Sequence, residues 1–420
     1  MATENLMRPD PPELLAPAGD METLYFALLY GADAVYAAQH EFGLRKTAKN
    51  FSFDELSEAV RTVHGHGKKL YLACNTLPRD DEIKKLPAFL ESAADCGVDA
   101  LIIADIGVLE MAKKYAPKTD VHISTQAGIV NSETARFFAQ AGAKRIILAR
   151  ELTLEEIQAI RESLPREVEI ECFAHGSMCV SFSGRCLLSN YLTRRDANRG
   201  DCSQPCRWPY FLCEEKRPGE YFEICEEPEG TFILNSKDLC MIQHIGRMAD
   251  AGISALKIEG RAKTFYYCAV VTNAYRAAID AWSDGEEKPP AWAVDELFKI
   301  SRREYCTGFY FGGPPLDAAV SFEGGYRRDW EVSAVVQAAK GGRLYLTQRN
   351  RFFNGETLEL LQPGKPAQTI RAAGMKDGNG LDIESCPHPM MCLSIRCDLP
   401  APQGALLRKR TVACAAGVDI

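Results

Sequence analysis

The chain has 420 residues and a mass of 46.5 kDa. At roughly 150 residues per domain that allows two or three domains with cores of their own, so a small cross-linked scaffold is excluded. Lysine and arginine number 49 against 57 aspartate and glutamate, a net charge of −8 with 46% hydrophobic residues, which fits a folded soluble protein and excludes a disordered chain or a uniformly basic nucleic-acid coat.

No apolar run reaches the ~20 residues of a membrane span, and the opening MATENLMRPDPPE lacks the basic and apolar regions of a secretion signal. A cytoplasmic location is therefore expected. In a reducing compartment the 16 cysteines point to metal, cluster or buried-thiol chemistry more than to disulfides.

A short unit recurs along the first half: a helix, a glycine, two or three polar or small residues, then a β-branched or aromatic strand. It reads YGADAVYAA at Gly31, CGVDALIIAD at Gly97, AGAKRIILAR at Gly142 and AGISALKIEG at Gly252, with HGKKLYLACN at Gly67 as a looser copy. Glycine past a helix end stops the helix in the left-handed conformation, and the continuous apolar run that follows suits a strand buried on both faces. Helix starts are marked by Asp20 and by Thr153 with Glu156 three residues on. Strands are expected near 13–16, 34–38, 69–74, 100–105, 120–124, 145–149, 167–173 and 254–258. Eight of them alternating with helices predict a closed (β/α)8 TIM-like barrel over residues 1–282, with an open doubly wound sheet as the alternative.

In such a barrel the chemistry gathers at the carboxyl ends of the strands. That places Asn75, Thr76, Asp105, His122 to Gln126, Arg150, Glu151, His175, Asn235, Ser236, Glu259 and Arg261 at the mouth. Arg150, Glu171, His175 and Glu259 are the candidate catalytic residues, and Arg185 and Arg261 the candidate substrate-binding residues, since arginine binds carboxylates through two parallel hydrogen bonds. Residues 283–330 begin with SDGEEKPPAWAVDE and read as a connection. From 331 to 420 short alternating segments, among them VSAVVQA, RLYLTQ and ETLELLQ, predict a small all-β barrel domain. This last part holds 11 basic against 8 acidic residues. Arg343, Arg349, Arg351, Arg408, Lys409 and Arg410, with Phe352 and Phe353, are its candidate phosphate-contacting surface, a solvated basic face being the plainer reading.

Eight of the 16 cysteines lie between Cys172 and Cys240, around an insertion at about 174–230. The spacing is Cys179-x6-Cys186, fifteen residues, then Cys202-x3-Cys206, with Cys240 further on. Four thiolates suit an iron–sulfur cluster or zinc; zinc sites favour paired short knuckles and only one is present, so a cluster is preferred. Gly176, Gly184, Ser181, Ser183 and the arginines Arg194, Arg195, Arg199 and Arg207 surround this set, and Trp208 and Tyr210 are candidates to stack a base.

The segment ECFAHGSMCVSFSGRCLLSN (171–190), with RDANRGDCSQPCRWPY, FILNSKDLCMI and LKIEGRAKTFYYCAVV, resembles the signature of the collagenase-like peptidase family U32. Nearly the whole chain is covered. The resemblance is strongest to the branch of that family that hydroxylates tRNA, and it implies conversion of wobble uridine to 5-hydroxyuridine with prephenate as co-substrate. It further implies a 4Fe–4S cluster on Cys179, Cys186, Cys202 and Cys206, with Cys240 as an alternative ligand, tRNA as partner, and for some relatives a paralogous partner subunit. Two other readings stand beside this one: a peptidase, for which no triad or H-E-x-x-H pattern is legible, and a non-catalytic tRNA-binding factor with a structural metal site.

Overall fold

The computed structural model describes residues 8–44, 49–178, 186–205, 237–312 and 327–411, together with the short strand pairs at 212–213, 221–222, 226–227 and 230–231. Seven parallel strands follow one another in space as in sequence: β1 (Glu13–Pro17), β2 (Ala34–Ala38), β3 (Lys69–Cys74), β4 (Ala100–Ile103), β5 (Asp120–Ile123), β6 (Arg145–Ile147) and β7 (Glu169–Ser177). The strand Ala255–Ile258 pairs in parallel with both β7 and β1, aligning Ala255 with Glu171 on one side and with Glu13 on the other. The sheet thus closes on itself as the eight-stranded (β/α) barrel that the repeated unit predicts. The local signals act as read: Asp20 caps the first helix by accepting from Thr23 N at 2.8 Å, and Thr153 and Glu156 form a reciprocal capping box on the helix Leu154–Ser163.

Strand pleating fixes what fills the barrel. Tyr36, Ala73, Ile102, Ile147, Phe173 and Lys257 point inward near the carboxyl end, where they line the mouth. Two residues earlier on each strand, a second layer holds Tyr71, His122, Arg145 and Glu171. Barrel interiors are ordinarily packed with branched aliphatic residues; this one carries a buried ion-pair layer instead. Arg145 reaches Glu13 at 2.7 Å, Glu169 at 2.5 Å and Glu171 at 3.2 Å, and its guanidinium lies over the Tyr71 ring.

The seventh strand, expected at 167–173, runs from Glu169 to Ser177. The extension pairs antiparallel with Asp238–Cys240, which in turn pairs with Tyr305–Cys306. Part of the expected connection at 283–330 is therefore structured. The helix Ala291–Glu296 and the strand Tyr305–Cys306 belong to the barrel body, and Leu297, Ile300 and Tyr310 are buried in its core.

The all-β domain is a curled antiparallel sheet of seven strands, in the spatial order Gln368–Arg371, Thr357–Leu361, Leu406–Arg410, Trp330–Lys340, Arg343–Gln348, Cys392–Arg396 and Ala373–Asp377. Its core around Val336, Leu346, Phe352 and Leu407 is joined to the barrel by Arg408. That side chain is wholly buried and bonds Glu296 of the barrel body at 2.6 Å and Glu359 of its own sheet at 2.7 Å. Arg408 and Phe352, expected on a phosphate-contacting surface, are thus interior: inward alternation on the strand ending at Arg410 takes Arg408 to the domain junction. Arg343 is likewise held, by Ser394 and the carbonyl of Gly374. Arg351 and the exposed Phe353 remain at the surface, stacked on each other at 4.9 Å. Among the described residues no helix is long and apolar enough to cross a membrane.

Candidate active site at the barrel mouth

A cavity of about 850 Å³, counting its open mouth, sits at the carboxyl ends of the barrel strands. Its walls combine the apolar Tyr36, Ile102, Ile147 and Phe173 with three cationic and two anionic side chains: Arg150, Lys257, Arg261, Glu151 and Glu259. A concave site of this kind, apolar with a few convergent charges, suits a small organic anion.

Each charge is placed by its strand end. Arg150 follows β6, lays its guanidinium 3.8 Å from the Phe173 ring centroid and donates from Nη1 to the Ser177 carbonyl at 2.8 Å. Glu259 and Arg261 follow the closing strand, and both are nearly buried. The Glu259 backbone is held from both sides: its N–H donates to the His175 carbonyl at 2.8 Å, and its own carbonyl accepts from the Tyr267 hydroxyl at 3.0 Å. Lys257 sits in the closing strand, with its ammonium 2.8 Å from Glu171 Oε1 and 4.4 Å from the Tyr36 ring centroid. The opposite wall carries Asn75, whose side-chain oxygen accepts from Leu44 N at 3.2 Å, and Ser124, Thr125 and Gln126 at the end of β5.

Of the candidate catalytic residues, Arg150 and Glu259 line this cavity, as does Arg261 of the substrate-binding pair; Arg185 lies outside the described residues. Glu171 lies one layer deeper, with no exposed surface, and touches the cavity only through Lys257. His175 is turned away altogether. Simple alternation puts Glu171, Phe173 and His175 on one face, but the register against the closing strand slips from Lys257 opposite Phe173 to Ile258 opposite His175. Ala174 is the extra residue of a β-bulge, and a bulge reverses which way the following side chains point. His175 is delivered to a pocket among Tyr267, Tyr275 and Tyr305, where burial pushes its pKa down to about 3.

The remaining mouth residues divide. Asp105 is spent as the cap of the helix Ile106–Tyr115, His122 is inside the barrel against Tyr71, and Asn235 and Ser236 lie outside the described residues. Lys257 was missed by the strand-end criterion because it lies within the strand. Its signal is nonetheless present in ALKI, a lone charge in an otherwise apolar buried strand.

Of the cysteine set, Cys179 and Cys206 lie outside the described residues. Met178, the neighbour of Cys179 in sequence, lines the cavity. Cys186 and Cys202 belong to the segment 186–205, which is tied to the loop after β3: Leu77 N donates to the Asn198 carbonyl at 3.5 Å, and Arg199 pairs with Glu82 at 2.7 Å. Asn75, two residues before Leu77, is a cavity residue, so this segment flanks the mouth. Cys202 is exposed, and its sulfur accepts the backbone N–H of Gln204 at 3.4 Å, the kind of contact that stabilises a thiolate ligand. Cys240 lines a different cavity with Cys306 and His244, and burial pushes its thiol up to about 11. Among the described residues no three His, Cys, Asp or Glu side chains are grouped as metal ligands.

Residues 19–318 match the model of the peptidase family U32, and residues 328–408 match that of its C-terminal domain. The chain is 36% identical over 394 residues to tRNA hydroxylation protein P of Escherichia coli K12, covering 84% of this chain and 86% of that protein. It is 36% identical over 403 residues to tRNA hydroxylation protein P1 of Bacillus subtilis 168, covering 95% and 94%. The 23S rRNA 5-hydroxycytidine C2501 synthase of E. coli K12 is 39% identical over 269 residues, 64% of this chain and 39% of that enzyme. With both of its domains matched and near full-length relatives above 30% identity, the chain belongs to peptidase family U32.

Proposed function

We propose that this protein is an RNA-modifying enzyme that hydroxylates tRNA, converting the wobble uridine to 5-hydroxyuridine. The observation that carries the reading is its near full-length likeness to two proteins named for tRNA hydroxylation, with a third relative named for hydroxylating a ribosomal RNA cytidine.

In this reading the barrel-mouth cavity takes a small carboxylate co-substrate, prephenate or a donor derived from it, and Arg150 and Arg261 are its partners. Glu259, fixed by the His175 and Tyr267 contacts to its backbone, orients or accepts a proton at the reacting end. An iron–sulfur cluster of the 4Fe–4S type would be held by Cys179, Cys186, Cys202 and Cys206. The Gln204 N–H on Cys202 and the place of segment 186–205 beside the cavity support this. Cys240, turned into the second cavity, is the weaker alternative ligand. When bound, the cluster supplies electron transfer; the chain's own residues bind, orient and shield the reactants.

Placement favours hydroxylation over peptide hydrolysis. Of the cavity hydroxyls, Thr125 Oγ1 donates to the Leu148 carbonyl, and among the described residues no histidine lines the cavity to take a proton from Ser124. His122 and His175 are both buried away from the cavity with depressed pKa values, which suits neither for a general base beside a nucleophile. The test is complementation of a deletion strain with Arg150→Ala and Glu259→Gln. Both variants are expected to fold and bind tRNA while restoring less than a tenth of the wild-type product; full restoration by both overturns the site.

A further inference from the structure

We propose that Lys257 is a ligand-contacting residue at the floor of the barrel-mouth cavity, binding a carboxylate of the small-molecule ligand, and that Glu171 is the residue that positions it. The inference rests on the reading of the cavity as a co-substrate site.

The Lys257 ammonium lies between two cavity walls, 4.4 Å from the Tyr36 ring centroid and 5.6 Å from that of Phe173, and both rings line the space. An ammonium has three N–H donors. One goes to Glu171 Oε1 at 2.8 Å, and among the described residues no second acceptor is recorded for the others. A lysine on a flexible four-carbon stem would ordinarily sample several positions. Here the wholly buried Glu171 fixes it from below, and Arg145 in turn holds the other Glu171 oxygen at 3.2 Å.

The cavity lining favours an anion, with the cations Arg150, Lys257 and Arg261 against the carboxylates Glu151 and Glu259. Below the cavity Glu171 divides its two oxygens between Lys257 and Arg145, and Arg145 is compensated further by Glu13 and Glu169. Lys257 thus shares its carboxylate with a second cation and keeps donors for a negative group entering from the mouth. Arg150 and Arg261 stand higher on the wall. A ligand with two carboxylates can therefore place one at the arginines and one at Lys257. A charge pair in a site that excludes water is stronger than the same pair in solvent, and an aromatic ring under the ammonium adds a cation–π contact.

The experiment measures binding of malonate, phenylpyruvate and prephenate by calorimetry to the full chain, comparing wild type with Lys257→Met and the double variant Lys257→Met/Glu171→Gln. The double variant removes both charges, so it remains informative if Lys257→Met alone leaves Glu171 buried without its partner and fails to fold. In parallel, reductive methylation of Lys257 is followed by peptide mass spectrometry with and without saturating ligand, a readout that a purely structural lysine would not move. At least one dicarboxylate is expected to bind wild type, to bind the folded variant at least tenfold more weakly, and to slow Lys257 methylation at least threefold. Unchanged affinity in the folded variant, no protection, or no binding of any probe to wild type overturns the proposal. The hydroxylase reading fails separately, if tRNA nucleosides are unaltered in a deletion strain although a carboxylate binds at Lys257.

Discussion

The backbone N–H of Glu259 donates to the carbonyl of His175 at 2.8 Å, and through this bond the end of β7 fixes the loop that carries the acidic side of the cavity. Between the two strands there is no room for a side chain. Gly176 has φ +111°, and a Cβ built on it would meet the Glu259 carbonyl oxygen at 2.4 Å. Gly176→Ala is therefore expected to cost about 2 kcal/mol or more through backbone strain and the displaced loop. Urea unfolding checks the stability loss, and ligand binding checks that Glu259 and Arg261 have moved.

Removing Arg408 is expected to be among the most damaging single changes in the all-β domain. It takes the buried guanidinium from the buried Glu296 and the partly buried Glu359 and leaves them only Lys299 to share; breaking a buried ion pair typically costs about 3–5 kcal/mol, and the remaining lysine places this one toward the lower end. Arg408→Met measured by thermal unfolding tests this. Arg408→Met/Glu296→Leu should recover part of the loss, because the two carboxylates then no longer compete for Lys299.

Acid is expected to weaken the barrel from below pH 6.5. Burial, together with Arg145 and Lys257 nearby, pushes His122 well below the ordinary histidine range, so the folded state leaves it neutral where the unfolded chain takes up a proton. The unfolded state then binds more protons and stability falls with pH, by up to about 1.4 kcal/mol per pH unit for one such group. Urea unfolding at pH 7.5 and pH 5.0 should show this difference, and it should shrink by about 2 kcal/mol in His122→Gln. An equal pH dependence in the variant contradicts the assignment.

The cysteine reading has a direct chemical test. Protein purified without oxygen is expected to carry about four irons and four labile sulfides per chain if it holds a 4Fe–4S cluster. Cys202→Ala should lose most of both, whereas Cys306→Ala, in the second cavity, should lose neither. Stoichiometric zinc, or retention of iron by the Cys202 variant, contradicts the proposed ligand set.

The barrel was legible because its signals are local and repeated. Helix-stopping glycines, caps at Asp20 and Thr153, and apolar strands recur with a fixed spacing, and each acts through near neighbours. Of the candidate site, what was legible is the place of Arg150, Glu259 and Arg261 on the cavity wall, since each follows a strand end. Placement was not legible where tertiary geometry intervenes. A bulge at Ala174 carries no sequence mark, yet it decides that His175 faces three tyrosines and not the cavity. The interior ion-pair layer was hidden for a different reason: Arg145 begins a strand and reads as a solvated end, and only closure of the barrel brings it to Glu13, Glu169 and Glu171. Arg408 was read as surface because its strand neighbours Lys409 and Arg410 are basic too, while alternation buries one residue of such a run against the barrel.

The central claim is hydroxylation of tRNA, and the most direct measurement is mass-spectrometric analysis of nucleosides from purified tRNA of a strain deleted for this protein, with and without the wild-type gene restored. The account expects 5-hydroxyuridine and nucleosides derived from it to fall in the deletion strain, to return with wild type, and to stay low with Arg150→Ala. An unchanged nucleoside profile in the deletion strain, with no second enzyme supplying the modification, contradicts it.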